Sequence, residues 1–161
     1  MRAVPLLAAV CLATSAAAQE ATFTVKQMTP ETALKAAQAA LASCRKQGFQ
    51  VTVAVTDRAG VAQIVLRDRF AGPHTVDTAI NKAWTVVSFR QDTLAFAAAT
   101  ADPRHSGVRG IPRVVAVGGG VLVEAGGSIL GAIGVSGAPG GEADDACAKA
   151  GVEAIRDDIS F

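Results

Sequence analysis

Aromatic residues are scarce in this chain and tyrosine is absent: six Phe and one Trp make 4% of its 161 residues. Sugar-stacking grooves and platforms for single-stranded nucleic acid need aromatic faces, so both are excluded. Charge is scarce as well, at 18% with a net charge of +1. That removes the basic footprint of a nucleic-acid-binding surface. Two His and three Cys are all the soft metal ligands besides Met. They show neither C-x-x-C nor H-x-x-x-H spacing, so no compact zinc motif is written here. No G-x-G-x-x-G, G-K-[ST] or G-x-S-x-G occurs, which argues against nucleotide binding and a serine hydrolase. Ser136 lies in G-V-S-G instead.

What is present is small and apolar. Half the chain is hydrophobic, mostly Ala and Val, so the core is expected to be closely packed from small side chains. The length suits one domain.

The two ends differ in kind. Arg2 and the uncharged run from Ala3 to Ala13 precede Ala16-Ala17-Ala18, the pattern of a secretory leader with a small-residue cleavage site. The run is too short to span a bilayer. Residues 1–18 are therefore expected to be removed, leaving a single domain over 19–161. Val10 is too large for lipoprotein processing at Cys11, so an exported protein, periplasmic or secreted, is expected. Cleavage takes one of 15 basic residues against 14 acidic ones, and the mature chain is formally neutral. Cys44 and Cys147 remain. In an oxidising compartment an even count suggests a disulfide, the alternative being two separate buried thiols.

Thr29-Pro30-Glu31 reads as a helix start: cap, proline at the first position, acid in the first turn. Ala33, Ala36, Ala37, Ala40, Leu41 and Cys44 follow on one stripe, and Gly48 is a stop. Val51, Val53 and Val55 alternate with Thr52, Ala54 and Thr56, a strand with a bulky and a small face. Asp57 to Gly60 is turn chemistry leading to a second strand at 64–66. After the break at Gly72-Pro73, Thr75 or a neighbour caps a helix whose predicted stripe is Val76, Ile80, Ala83, Trp84 and Val87, with Lys82 off it. A short helix near 92–99 and a loop at 100–112 follow. Residues 114–117 and 121–124 are predicted to form a hairpin around the triple glycine. A further strand spans 128–137, where Gly131, Gly134 and Gly137 signal close backbone approach or a bulge. The last helix starts at Gly141 or Glu142, with a predicted stripe of Ala143, Ala146, Cys147, Ala150 and Ala154. The expected order is α-β-β-α-α-β-β-β-α, an α+β fold with a mainly antiparallel five-stranded sheet flanked by helices.

His74 is the most informative polar residue. It stands in a Gly-Pro-His-Thr turn at a helix start, and imidazole ligates metal through a neutral ring nitrogen, the form a helix N-terminus favours. Arg67 and Arg69 lie close by in sequence and suit an anionic group. Taken alone, His74 reads first as a surface residue capping or packing on the turn, and His105 in its loop as a bland polar residue.

The stretch GAIGVSGAPGGEADDACAKAGVEAI (131–155) resembles the GlcG/HbpS-like haem-binding family, which includes the C-terminal domain of PduO. Further matching segments are VAVTDRAG (53–60), RDRFAGPHT (67–75), NKAWT (81–85) and IPRVVAVGGG (111–120). They occur in order over residues 29–157. Phe70, Trp84 and Val121-Leu122 depart from the family's usual residues. The resemblance implies a profilin-like fold with the first and last helices on one sheet face. Antiparallel packing of those helices would join Cys44 to Cys147. It also implies self-association into a homo-oligomer, and haem binding in some members. The expected function is an exported, non-catalytic haem-binding protein acting as carrier, scavenger or sensor component. His74 is the candidate iron ligand, with Thr75 at the same turn. Arg67, Arg69 or Lys82 would stand near the propionates and Trp84 would wall the macrocycle. His105 is the fallback ligand. The alternative is a cofactor-free oligomeric accessory or scaffold protein of a small-organic-acid or diol pathway. An enzyme acting on small oxidised organic molecules is a third reading.

Overall fold

Thr29 caps the first helix as its sequence predicts: its hydroxyl accepts the Thr32 N–H at 3.2 Å. Helix α1 then runs Pro30–Lys46 with all six predicted stripe residues buried. Strands β1 (Thr52–Asp57) and β2 (Ala62–Arg67) form a hairpin, closed by Asp57, whose Oδ1 accepts the Ala59 and Val61 N–H groups. Helices α2 (His74–Phe89) and α3 (Thr93–Ala99) and a 3-10 turn (Ser106–Gly110) precede strands β3 (Gly120–Ala125) and β4 (Ser128–Ser136). Helix α4 (Gly141–Glu153) is the last element, and Ile155 and Ile159 beyond it return to the main core. This computed structural model describes residues 21–160, and the expected leader lies outside the described residues.

The fold is α+β, with one antiparallel sheet in the order β2-β1-β4-β3. The described residues form four strands, not the expected five. Residues 114–117 do not become a strand, because they cross over α2: the Val115 N–H donates to Thr85 Oγ1 at 3.0 Å. The hairpin near the triple glycine is instead β3 with β4, turning at Gly126-Gly127.

The sheet separates two unlike layers. Val51, Val53, Val55, Ile133 and Val135 point to one side and pack with α1 and α4 in the main core. These two helices run antiparallel, because Cys44 late in α1 bonds Cys147 while Lys35 early in α1 pairs with Asp158 beyond α4. The disulfide forms between Cα atoms 5.5 Å apart, within normal bridging distance. On the other side β1 and β4 present only Thr52, Ala54, Thr56, Ala132, Gly134 and Ser136, and α2 lies there. A Cβ on Gly134 would stand 2.0 Å from the Ala79 carbonyl oxygen, so the close approach read from the strand glycines is real at this point.

Two helix faces differ from the predicted stripes. In α2 the buried residues are Thr75, Ala79, Lys82, Ala83, Thr85 and Val86, while Val76, Ile80, Trp84 and Val87 are half-buried. In α4 they are Asp144, Asp145, Cys147, Ala148 and Gly151, and Ala146 is exposed. Both rotations have one cause. Lys82 and Asp144 satisfy each other inside, so a face carrying charge can be the buried face.

Candidate functional site

A cleft of about 580 Å3 opens where α2 begins and β4 ends. The α1–β1 loop supplies Phe49 and Gln50, the start of α2 supplies His74, Thr75, Thr78 and Lys82, and the 136–141 turn supplies the opposite wall. That turn is glycine-rich because it must pass close to β1: a Cβ on Gly137, where φ is +129°, would meet the Gln50 carbonyl oxygen at 2.7 Å.

His74 is exposed at the rim. Its ring lies against the Gly72 backbone, where a Cβ would come within 2.7 Å of the imidazole. Two apolar side chains stand open at the same cleft, Phe70 at 79% exposure and Val117 at 49%. Thr75 is buried below His74. Its hydroxyl donates to the Gly72 carbonyl at 2.6 Å and lies 2.7 Å from that of Thr52, which ties the first turn of α2 to β1.

Beneath this rim lies a buried ion pair. Lys82 Nζ is 2.7 Å from Asp144 Oδ2 and donates to the Val135 carbonyl at 2.8 Å. Asp144 Oδ1 accepts the Ala138 N–H at 2.9 Å. Burial pushes Lys82 below its ordinary pKa and Asp144 above its own, while their mutual attraction and hydrogen bond pull each back. The carboxylate's role as acceptor for both the ammonium and a backbone N–H fits the charged pair. The pair fastens α2 to the last strand and to the start of α4, and so fixes the cleft's shape.

The other predicted site residues stand elsewhere. Arg67 is exposed and its guanidinium donates to the Ala71 carbonyl. Arg69 is exposed, and between the two arginines Asp68 turns inward to a two-point pair with Arg45, at 2.8 and 3.0 Å. Neither arginine lines the cleft. Lys82 lines it, but its charge is already met by Asp144. Trp84 is ten residues along α2 from His74, about 15 Å of helix rise. It packs beside Gly60 and under the Arg113 guanidinium, 4.8 Å from the ring centre. It therefore walls no part of this cleft, in correction of the expectation. His105 is exposed at the start of the 3-10 turn, where its side chain makes no capping bond, and it is not among the cleft-lining residues. Sequence reasoning missed Asp144, Ser136 and Gln50 as cleft residues; the glycine-rich turn before α4 was the available signal.

Among the described residues no group of three or more His, Cys, Asp and Glu is placed to hold a bare metal ion. One exposed histidine beside apolar walls instead suits a metal already held in a macrocycle. His74, Phe70 and Val117 fit that requirement, whereas the arginines expected for the propionates do not reach the cleft.

The arrangement is that of a small α+β domain with an open cleft where α2 begins and β4 ends. The chain belongs to the HbpS-like family, whose model, described as haem degrading protein HbpS-like, matches residues 28–153. A double mutant of HbpS from Streptomyces reticuli is 37% identical, covering 92% of this chain and 97% of that one with a TM-score of 0.79. The ORFY protein of Klebsiella pneumoniae, from the DUF336 family, is 25% identical with a TM-score of 0.82, covering 86% of this chain and 97% of that one. A complex of PduOC with haem shares the fold, at 24% identity and a TM-score of 0.75 over 80% of this chain and 95% of that one. No curated protein matches the chain.

Proposed function

We propose that this chain is an exported haem-binding protein, a carrier, scavenger or sensor component, which would hold haem at the cleft with His74 as the residue that ligates its iron. The observation that carries this reading is His74 itself: an exposed imidazole against the Gly72 backbone, lining the same cleft as the open side chains of Phe70 and Val117. Haem supplies the iron and its redox chemistry; the chain supplies a ligand, two apolar walls and a rigid seat. The anchored Thr75 fixes the turn from which His74 projects, so the imidazole is presented rather than searched for. Membership in a family described by haem degradation, and a fold shared with a protein solved with haem, support the ligand class. The leader pattern at residues 1–18 supports export, and the family supports a homo-oligomer.

Titrating haem into the purified protein tests the reading. A saturable Soret shift is expected, with His74→Ala abolishing the ligation signature and His105→Ala leaving it intact. The reverse pattern would move the ligand to His105. No saturable shift in the wild type would leave the oligomeric accessory reading in its place. The family description also favours a second reading, that bound haem is broken down. Decay of the Soret band in the presence of a reductant and oxygen, absent in His74→Ala, would establish it.

A further inference from the structure

The floor of the cleft carries polar groups that an iron ligand and apolar walls leave unused. Ser136 ends β4, is 5% exposed and lines the cleft. Val135 points into the main core, so alternation along the strand turns the Ser136 hydroxyl to the α2 side. Among the described residues that hydroxyl has no hydrogen-bond partner. Gln50 lines the same cleft, and its Oε1 is buried without a partner. A half-turn of the amide exchanges oxygen for Nε2 and presents a donor there.

The third component is backbone. Helix α4 is 13 residues long and its N-cap, Gly140, makes no side-chain cap. The first-turn N–H groups of a helix have no partner within it and carry about half a positive charge. Gly140 and Gly141 bring that end to the cleft. Two acids lie in the same turn, Glu142 and Asp144. Asp144 is occupied by Lys82 and the Ala138 N–H, and the buried pair is neutral as a unit. Glu142 is exposed, with its Oε2 beside Gly140.

We propose that the floor of this cleft is a subsite for one carboxylate, received by Ser136 Oγ, the Gln50 amide and the open N–H groups at the start of α4. Donors without an unmatched cation suit a single negative charge. A dianionic phosphate would require a further cation, which the floor does not provide. The carboxylate has two possible sources, a propionate arm of haem or a free short monocarboxylic acid. The first source rests on the haem reading and supplies what Arg67 and Arg69 do not; the second is independent of it.

The test uses three probes on the full purified protein: haem, haem dimethyl ester and sodium propionate, with inorganic phosphate as the contrast. Propionate is expected to bind saturably and to shift the amide resonances of Gly141 and Glu142, with phosphate weaker. Ser136→Ala should weaken propionate and haem about tenfold, as loss of a hydrogen bond to a charged group does. It should leave the ester's affinity and the Soret position unchanged. Glu142→Gln, which removes the competing charge, should strengthen propionate binding two- to threefold (about the size of a helix-end charge effect). Propionate binding without any haem binding supports the subsite and sinks the haem reading. Equal affinity for haem and its ester, with no response to propionate, overturns the subsite and leaves the haem reading standing. Phosphate bound more tightly than propionate overturns it as well.

Discussion

The two faces of the sheet are built by opposite means. On one, α1 and α4 cover valines and isoleucines in a broad apolar core, closed by a disulfide. On the other, α2 lies so close that only Gly, Ala, Thr and Ser fit beneath it, and a buried ion pair joins it to β4 and α4. The first face buries bulk. The second gives up apolar area for fixed geometry, and the cleft opens at its end. The broad apolar core and the tightly fitted helix therefore lie on different sides of one sheet.

The largest expected loss tests the close approach. Gly134→Ala sets a Cβ 2.0 Å from the Ala79 carbonyl and 2.9 Å from the Ala83 nitrogen, both backbone atoms. No rotamer relieves that contact, so a loss of about 4 kcal/mol or more is expected in chemical denaturation. A loss below about 1 kcal/mol would show that α2 can lift from the sheet.

Lys82→Met comes next. It strands the Asp144 carboxylate inside, at a cost of about 3–5 kcal/mol. Adding Asp144→Asn removes the charge while keeping an acceptor for the Ala138 N–H, and should recover at least half of that loss. Failure to recover would mean that Lys82 acts through packing rather than as a partner.

On the opposite face, Cys44→Ala with Cys147→Ala should cost about 2–4 kcal/mol, mainly by freeing the unfolded chain. Neither cysteine lines the cleft, so haem titration should be unchanged. A change there would show that the bridge shapes the cleft through the lining residues near it in sequence, Phe49 and Asp144.

The smallest effect is one of pH. Its hydrogen bonds to Arg45 hold Asp68 below the usual carboxylate range. A depressed folded value stabilises the fold above the unfolded carboxylate's titration, near pH ~4, and is lost as pH falls through the folded value. Asp68→Asn should therefore be less stable than the wild type at neutral pH and converge with it in strong acid. Parallel stability curves across that range would sink the pairing. Half-exposure of Arg45 keeps the effect modest.

Local signals carried much of this architecture. The Thr29-Pro30-Glu31 start, the alanine stripe, the alternating valines and the Asp57–Gly60 turn each depend on neighbours in sequence, and each is where the residues placed it. His74 at a helix start was legible for the same reason. The strand read at 114–117 failed because four apolar residues in a row do not say whether they will find a strand to pair with, and Thr85 took the Val115 N–H instead. The buried faces of α2 and α4 failed because charge was read as exposure.

The sequence by itself determined the elements, their bulky and small faces, and the residues able to bridge or ligate, since these follow from local backbone preference and side-chain volume. Only the tertiary structure decided that Lys82 and Asp144, 62 positions apart, would be buried together. It also decided that Trp84 would leave the cleft and that Ser136 and Gln50 would enter it. A charge or hydroxyl is tolerated inside only when a partner arrives from elsewhere in the chain, and which partner arrives is set by how the layers pack.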